Sequence, residues 1–166
     1  LMVGSEGTLG VVTRITLKIN PRPRASSTAM ATFDTLEDAG KSVTQIMSSG
    51  IIPSVMEIMS RPVIQAINQN TDLGLPEVET MLLVETDGYT SGETEYQLEK
   101  VINVFNDNHA LEVKKAASKE EAADLWKARK SAVPVLARIQ THFMLEDVTV
   151  PMGKIADLLR GIEGIA

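Results

Sequence analysis

The chain has 166 residues, 43% of them hydrophobic, which is enough for one core or for one domain with an appendage. Sixteen basic and 22 acidic residues leave a formal net charge of −6, which argues against nucleic acid or an anionic membrane as the main partner. The absence of cysteine excludes disulfides, thiolate-held metals and thiol nucleophiles, and no apolar stretch is long enough to span a bilayer.

The first patterned stretch is Gly4-Ser5-Glu6-Gly7-Thr8-Leu9-Gly10, whose glycines free the backbone for positive φ and for close approach to a neighbour. Val11 to Ile19 then alternates β-branched and polar residues, which reads as a strand. A phosphate-binding loop would need Lys-Ser/Thr and a helix after its glycines, and a dinucleotide fingerprint would need the glycines to open a helix. Neither follows. On these residues alone, a structural turn and a cofactor contact both stay open. Pro21-Arg22-Pro23-Arg24 stops a helix and disfavours a central strand, so it reads as an extended connector.

From Ala25 the elements alternate. Ser27 to Phe33 is expected as a strand, and Thr35 caps a helix with Leu36, Ala39, Val43, Ile46 and Met47 on one face. Pro53 leads a second strand through Met59, and Ser60 caps a short helix carrying Val63, Ile64 and Ile67. Asn68 to Val78 reads as loop. Met81 to Val84 is a continuous apolar run, as in a strand covered on both faces. Thr90 with Glu93 forms a capping box for a helix with Leu98, Val101, Ile102 and Phe105 on one stripe, and Leu111 to Ala116 supplies a fourth strand. This β-α-β, β-α-β order with one inserted helix predicts an α+β domain, a ferredoxin-like antiparallel sheet with helices packed on it.

A further capping box, Ser118 with Glu121, opens a helix in which Ala122, Leu125, Trp126, Ala132, Val133 and Leu136 share a face with Arg129 in its middle. A guanidinium there must reach solvent, pair with a carboxylate or meet a bound anion, and the residues alone leave all three open. Pro134 should kink or end the helix near Lys130 to Ala132. Phe143 to Pro151 reads as a strand on which the adjacent Glu146 and Asp147 face opposite sides, one of them a candidate partner for Arg129. Pro151 opens a last helix with Ile155, Leu158, Leu159 and Ile162 in register. His109 lies in a turn-forming Asn-Asp-Asn-His run, and His142 precedes the predicted strand. Neither has a partner at metal-ligand spacing, so no metal site is expected within the chain; no catalytic residue is assigned, and a site role stays open for His142. The eight methionines read as core filler.

The string Val3-Gly4-Ser5-Glu6-Gly7-Thr8-Leu9-Gly10-Val11-Val12-Thr13 resembles the closing motif of the FAD-binding domain in the FAD-linked oxidases, the family that includes glycolate oxidase flavoprotein subunits and D-lactate dehydrogenases. Leu125-Trp126-Lys127-Ala128-Arg129 and Glu146-Asp147-Val148-Thr149-Val150-Pro151 resemble later segments of the same family. The resemblance implies that Gly4, Ser5, Glu6, Gly7, Thr8, Gly10, Val11 and Val12 lie against FAD, and that Arg129 holds a substrate carboxylate. The threonine and lysine that assist the arginine in some relatives are replaced here by Val133 and Leu145. It further implies that residues 1–24 are the edge of an FAD-binding domain with its connector, and that residues 25–166 are a substrate-side cap with its ferredoxin-like core at 27–116.

Both ends of the chain are apolar, so a fragment of a longer enzyme is expected, with the family's His-x-Gly-Asp-Gly-Asn-x-His motif, and any divalent metal it holds, beyond Ala166. The activity implied is oxidation of glycolate or D-lactate to the 2-oxo acid. The electron acceptor, and assembly with other oxidase subunits or as a homodimer, stay open. Alternatives are 2-hydroxyglutarate or an alkyl-glycerone phosphate on the same fold, or a ferredoxin-like binding module without catalysis. A cytoplasmic protein is expected, at most peripheral at the inner face of a membrane.

Overall fold

Strands that bury both faces need a helix layer on each side, and this requirement organises the domain. The computed structural model describes residues 2–139, 142 and 148–164, excepting the Glu163 side chain. In chain order it contains β1 (Ala25–Phe33), α1 (Leu36–Ser48), β2 (Val55–Ser60), α2 (Arg61–Asn70), β3 (Thr80–Gly88), α3 (Ser91–Asp107), β4 (Glu112–Lys115) and α4 (Lys119–Ile139). A 3-10 turn at Met152–Lys154 then leads into α5 (Ile155–Glu163).

The four strands form one sheet in the order β2-β3-β1-β4 with every neighbouring pair antiparallel, which is the ferredoxin-like arrangement. The long β1–β3 ladder runs from Ala25 opposite Gly88 to Phe33 opposite Thr80. Side-chain alternation along it sends Ala29, Ala31, Phe33, Leu82 and Val84 to one face, under α1 and α3. There Phe33 and Phe105 meet edge to face with ring centroids 6.1 Å apart. Met30, Met59, Met81 and Leu83 go to the other face, covered by Ile64 and Ile67 of α2 and Ala128 of α4.

The helix starts follow their capping residues. Thr35 and Thr90 accept from the amides of Asp38 and Glu93. Ser118 accepts from the Glu121 amide while Glu121 accepts from the Ala117 amide, a reciprocal box. β3 extends well past the apolar run Met81 to Val84 because β1 and β2 pair with it on either side. β4 is shorter than expected and α2 reaches Asn70.

Two expectations are corrected. Pro134 does not end α4, which continues to Ile139. Its missing amide would have bonded the carbonyl of the exposed Lys130, where water can serve instead, while the buried Ala128 and Val135 hold the flanking turns. Residues 10–22 carry no strand pairing among the described residues, and Val11, Ile15, Leu17 and Ile19 are exposed. An alternating pattern makes a strand only where a second backbone takes up its hydrogen bonds. Residues 143–147 of the expected last strand lie outside the described residues, and Val148 to Pro151 form no strand.

Helix α5 packs on α1 at Gly40, where an added Cβ would fall 2.8 Å from the Ala156 Cβ. Ile162, expected on the packed face, is exposed. Arg160 spans the two helices, pairing with Glu37 at 3.4 Å and with Asp157 at 2.6 Å. Hydrogen bonds from Lys154, then Arg160, hold the Asp157 carboxyl below its ordinary value. A carboxyl lowered in the folded state stabilises the fold above its unfolded pKa, and that contribution is lost as pH falls through the lowered value. Urea unfolding of the chain from about pH 7 to about pH 3 should therefore show a loss of stability in and below the carboxylate range, part of which disappears in Asp157→Asn. An unchanged slope in that variant would show that the carboxylate does not help hold α5.

Candidate functional site

Period-two alternation on β2 and β3 places Glu57 beside Met59, and Glu85 beside Leu83 and Met81, on the face under α4. Glu57 lies opposite Leu83, and Glu85 opposite Val55. The two carboxylates are thus diagonal neighbours on adjacent strands, about 7–8 Å apart at their backbones. An acid on so apolar a face needs a donor.

Helix α4 supplies both donors from positions one turn apart. The Trp126 indole Nε1 donates to Glu85 Oε2 at 3.0 Å, and Thr28 Oγ1 of β1 donates to the same oxygen at 3.1 Å. Arg129 donates through Nε to Glu57 Oε1 at 3.0 Å, and its Nη2 lies 3.0 Å from that same oxygen. One carboxylate oxygen therefore occupies the side edge of the guanidinium. The end edge, formed by Nη1 and the outer hydrogen of Nη2, has no partner among the described residues. With 44% of the Arg129 side chain and 33% of the Glu57 side chain exposed, solvent screening keeps the stabilisation from this pair small, about 0–1 kcal/mol.

The placement of Arg129 corrects the helical wheel. The line of α4 turned to the sheet is Leu125, Ala128, Ala132 and Val135, with Ala128 and Val135 buried. Arg129 stands on its flank beside Trp126, and Val133 is exposed. Small Ala128 lets the helix approach the sheet, and this rotates the arginine from the centre of the stripe to its edge. Its neutralising partner is Glu57; Leu145, Glu146 and Asp147 lie outside the described residues. Glu57 and Glu85 are functional candidates that the periodicity reading passed over. Their signal was present as single acids at alternating positions in apolar strands.

Two recesses flank this face. A cavity of about 460 Å³ lies beneath α4 against Met30, Met81, Leu125 and Ala128. A groove of about 550 Å³ runs from Glu85 and Asp87 to the connector, with Arg22, Arg24 and Lys119 around it. The connector is tied to the sheet by the Arg24 amide, which donates to the Gly88 carbonyl at 2.9 Å.

The glycine run is a surface loop of two successive turns. The Ser5 hydroxyl donates to the Met2 carbonyl and the Thr8 hydroxyl to the Ser5 carbonyl, at 2.8 and 2.6 Å. Gly4, Gly7 and Gly10 have φ of 77°, 79° and 156°, and Glu6 is also left-handed at 47°. A Cβ on Gly4 or Gly7 would meet nothing within 4 Å, so their backbone is bare on its outer side. Thr8, Val11 and Val12 are exposed, and none of the hydrogen bonds among the described residues joins this loop to Arg129. His109 ends α3 at φ 62° and is exposed, as is His142. Among the described residues no group of three or more metal-ligating side chains occurs.

The family model described as FAD linked oxidases, C-terminal domain, matches residues 22–166. The glycolate oxidase subunit GlcD of Bacillus subtilis is 36% identical over 167 residues, which cover 100% of this chain and 35% of that protein. The same subunit of Escherichia coli is 35% identical, covering 98% of this chain and 32% of its own length. The mitochondrial D-lactate dehydrogenase [cytochrome] of Arabidopsis thaliana is 34% identical, covering 96% and 28%. The chain thus spans about a third of the length of the curated relatives it matches. Among solved structures, alkyldihydroxyacetonephosphate synthase superposes with a TM-score of 0.63 at 19% identity, covering 99% of this chain and 35% of that one, which shows a shared fold.

If the indole N–H helps to seat α4, Trp126→Phe should destabilise the domain by about 1–3 kcal/mol in urea unfolding, because it withdraws a donor from a half-buried carboxylate. Glu85→Gln should shrink that difference. Equal stability of Trp126→Phe and the parent chain would remove this bond from the account.

Proposed function

The chain belongs to the family of FAD linked oxidases, C-terminal domain, and on that premise we propose that it is the substrate-side part of an enzyme that oxidises a small 2-hydroxy acid, glycolate or D-lactate. Residues 25–166 form the cap in this reading, and residues 1–24 the edge of an FAD-binding domain with its connector. The start of the family match at residue 22 supports that boundary. The names of the relatives, glycolate oxidase subunit and D-lactate dehydrogenase, support the substrate class.

The observation that carries this reading is the divided guanidinium of Arg129, held on its side edge by Glu57 with the end edge free of partners among the described residues. The end edge, with parallel donors on Nη1 and Nη2, is one of the two edges through which arginine takes a carboxylate bidentately, and lysine offers no such fork. Arg129 would orient the acid. Gly4, Ser5, Glu6, Gly7, Thr8, Gly10, Val11 and Val12 would form one edge of the FAD site. The fit is favourable, because Gly4 and Gly7 present bare backbone to a flat ligand. When bound, FAD supplies the two-electron acceptor that side chains lack. The substrate loses two electrons and two protons, and no described residue is assigned as the base. A divalent metal would be held by residues outside this chain. The word subunit in the relatives' name supports assembly with further chains. No described helix is long and apolar enough to cross a membrane, and we place the enzyme in the cytoplasm or at a membrane's inner face.

In the full-length enzyme, Arg129→Ala should raise KM for glycolate or D-lactate and lower kcat/KM by about 2–4 kcal/mol of transition-state binding. Arg129→Lys should recover only part of the loss, and unchanged kinetics in Arg129→Ala would remove the residue from the site. The isolated 166-residue chain, holding only one edge of the cofactor site, should emerge colourless from gel filtration after mixing with FAD. A chain that stayed yellow would overturn that division of the cofactor site.

A further inference from the structure

We infer that Glu57 is a positioning residue that aims Arg129 at the carboxylate of the substrate, an inference that rests on the role proposed above for Arg129. Glu57 is an acid on a strand face that also carries Met59, Met81, Leu83 and Glu85, and its backbone is fixed by the β2–β3 ladder opposite Leu83. Its single oxygen Oε1 bridges Nε and Nη2 of Arg129. That bond biases the terminal arginine torsions that would otherwise sweep the fork through solvent, and it leaves the Nη1/Nη2 edge for a second carboxylate. The second rung, Trp126 on Glu85, sets the rotation of α4 one turn earlier, so that Arg129 stands over β2. Half-exposed as it is, the Glu57–Arg129 pair adds little to stability, and its effect is on direction.

The test compares full-length Glu57→Ala, Glu57→Gln and Arg129→Ala with the wild-type enzyme, reading KM and kcat with glycolate and D-lactate. Calorimetric titration with oxalate, a carboxylate that is not a 2-hydroxy acid, gives a binding readout independent of turnover. Glu57→Ala should raise KM and weaken oxalate about fivefold with a smaller change in kcat, while Glu57→Gln, which keeps an acceptor oxygen, should recover most of the loss. Unchanged KM and oxalate affinity in Glu57→Ala, alongside large losses in Arg129→Ala, would overturn the inference and leave the role of Arg129 standing. Unchanged values in both variants would overturn the role of Arg129 as well. Should Glu57→Ala not fold, Glu57→Asp carries the test, since it keeps the charge but draws the oxygen back by one methylene. A KM raised about threefold supports aiming by Glu57, and a wild-type KM overturns it.

Discussion

Everything else in this domain depends on the pairing of β1 with β3, two strands buried on both faces. Side chains of period two on such strands have no solvent side to point to, so each face of the sheet must be roofed by helices. Helices α1 and α3 roof one face with a contact that is mostly apolar and carries only neutral polar groups, the buried Thr86 and Thr94 bonded to each other and to Ser27. The other face receives α2 and α4, and there the apolar surface is interrupted by Glu57 and Glu85. The two sides therefore divide the work. One supplies the core, and the other gives α4 a polar register on the sheet.

Most of the architecture could be read from residue pattern because it is set by local chemistry. Thr35, Thr90 and Ser118 cap helices through bonds to residues three further on, and such signals need nothing distant to be true. The apolar run Met81 to Val84 marked a strand covered on both faces. Its full length did not show, because Glu85 to Gly88 join β3 through the backbones of β1 and β2 and not through hydrophobicity. The alternation of Val11 to Ile19 is as regular as that of β1, and no strand forms there because no described backbone pairs with it. Pro134 shows the reverse case, in which packing of Ala128 and Val135 overrides a strong local breaker.

The site was legible in part for the same reason. Arg129 could be picked out by its place beside apolar residues on α4, but a wheel drawn at 3.6 residues per turn put it at the centre of the stripe. Only the close seating of Ala128 on the sheet decides which way the helix is rolled. Glu57 could not be matched to Arg129 from sequence, since 72 residues separate them and the strand order β2-β3-β1-β4 must be known first.

The second face raises an energetic question with a definite answer. Acids set among methionines and leucines lose hydration, and an apolar residue of similar volume would generally stabilise a core as well or better. Glu85 regains hydrogen bonds to one oxygen from two donors, Trp126 and Thr28, and so behaves as a half-buried group whose bonds specify where α4 sits. Glu57 gives one oxygen to a half-exposed arginine, too wet to stabilise the fold appreciably. Stability accounts for the first acid and not for the second. What the second acid does achieve is directional, because it fills the side edge of a guanidinium whose end edge meets no partner among the described residues. That asymmetry between two otherwise similar acids is the ground on which the flank of α4 that carries Arg129 is proposed as the side turned towards a ligand.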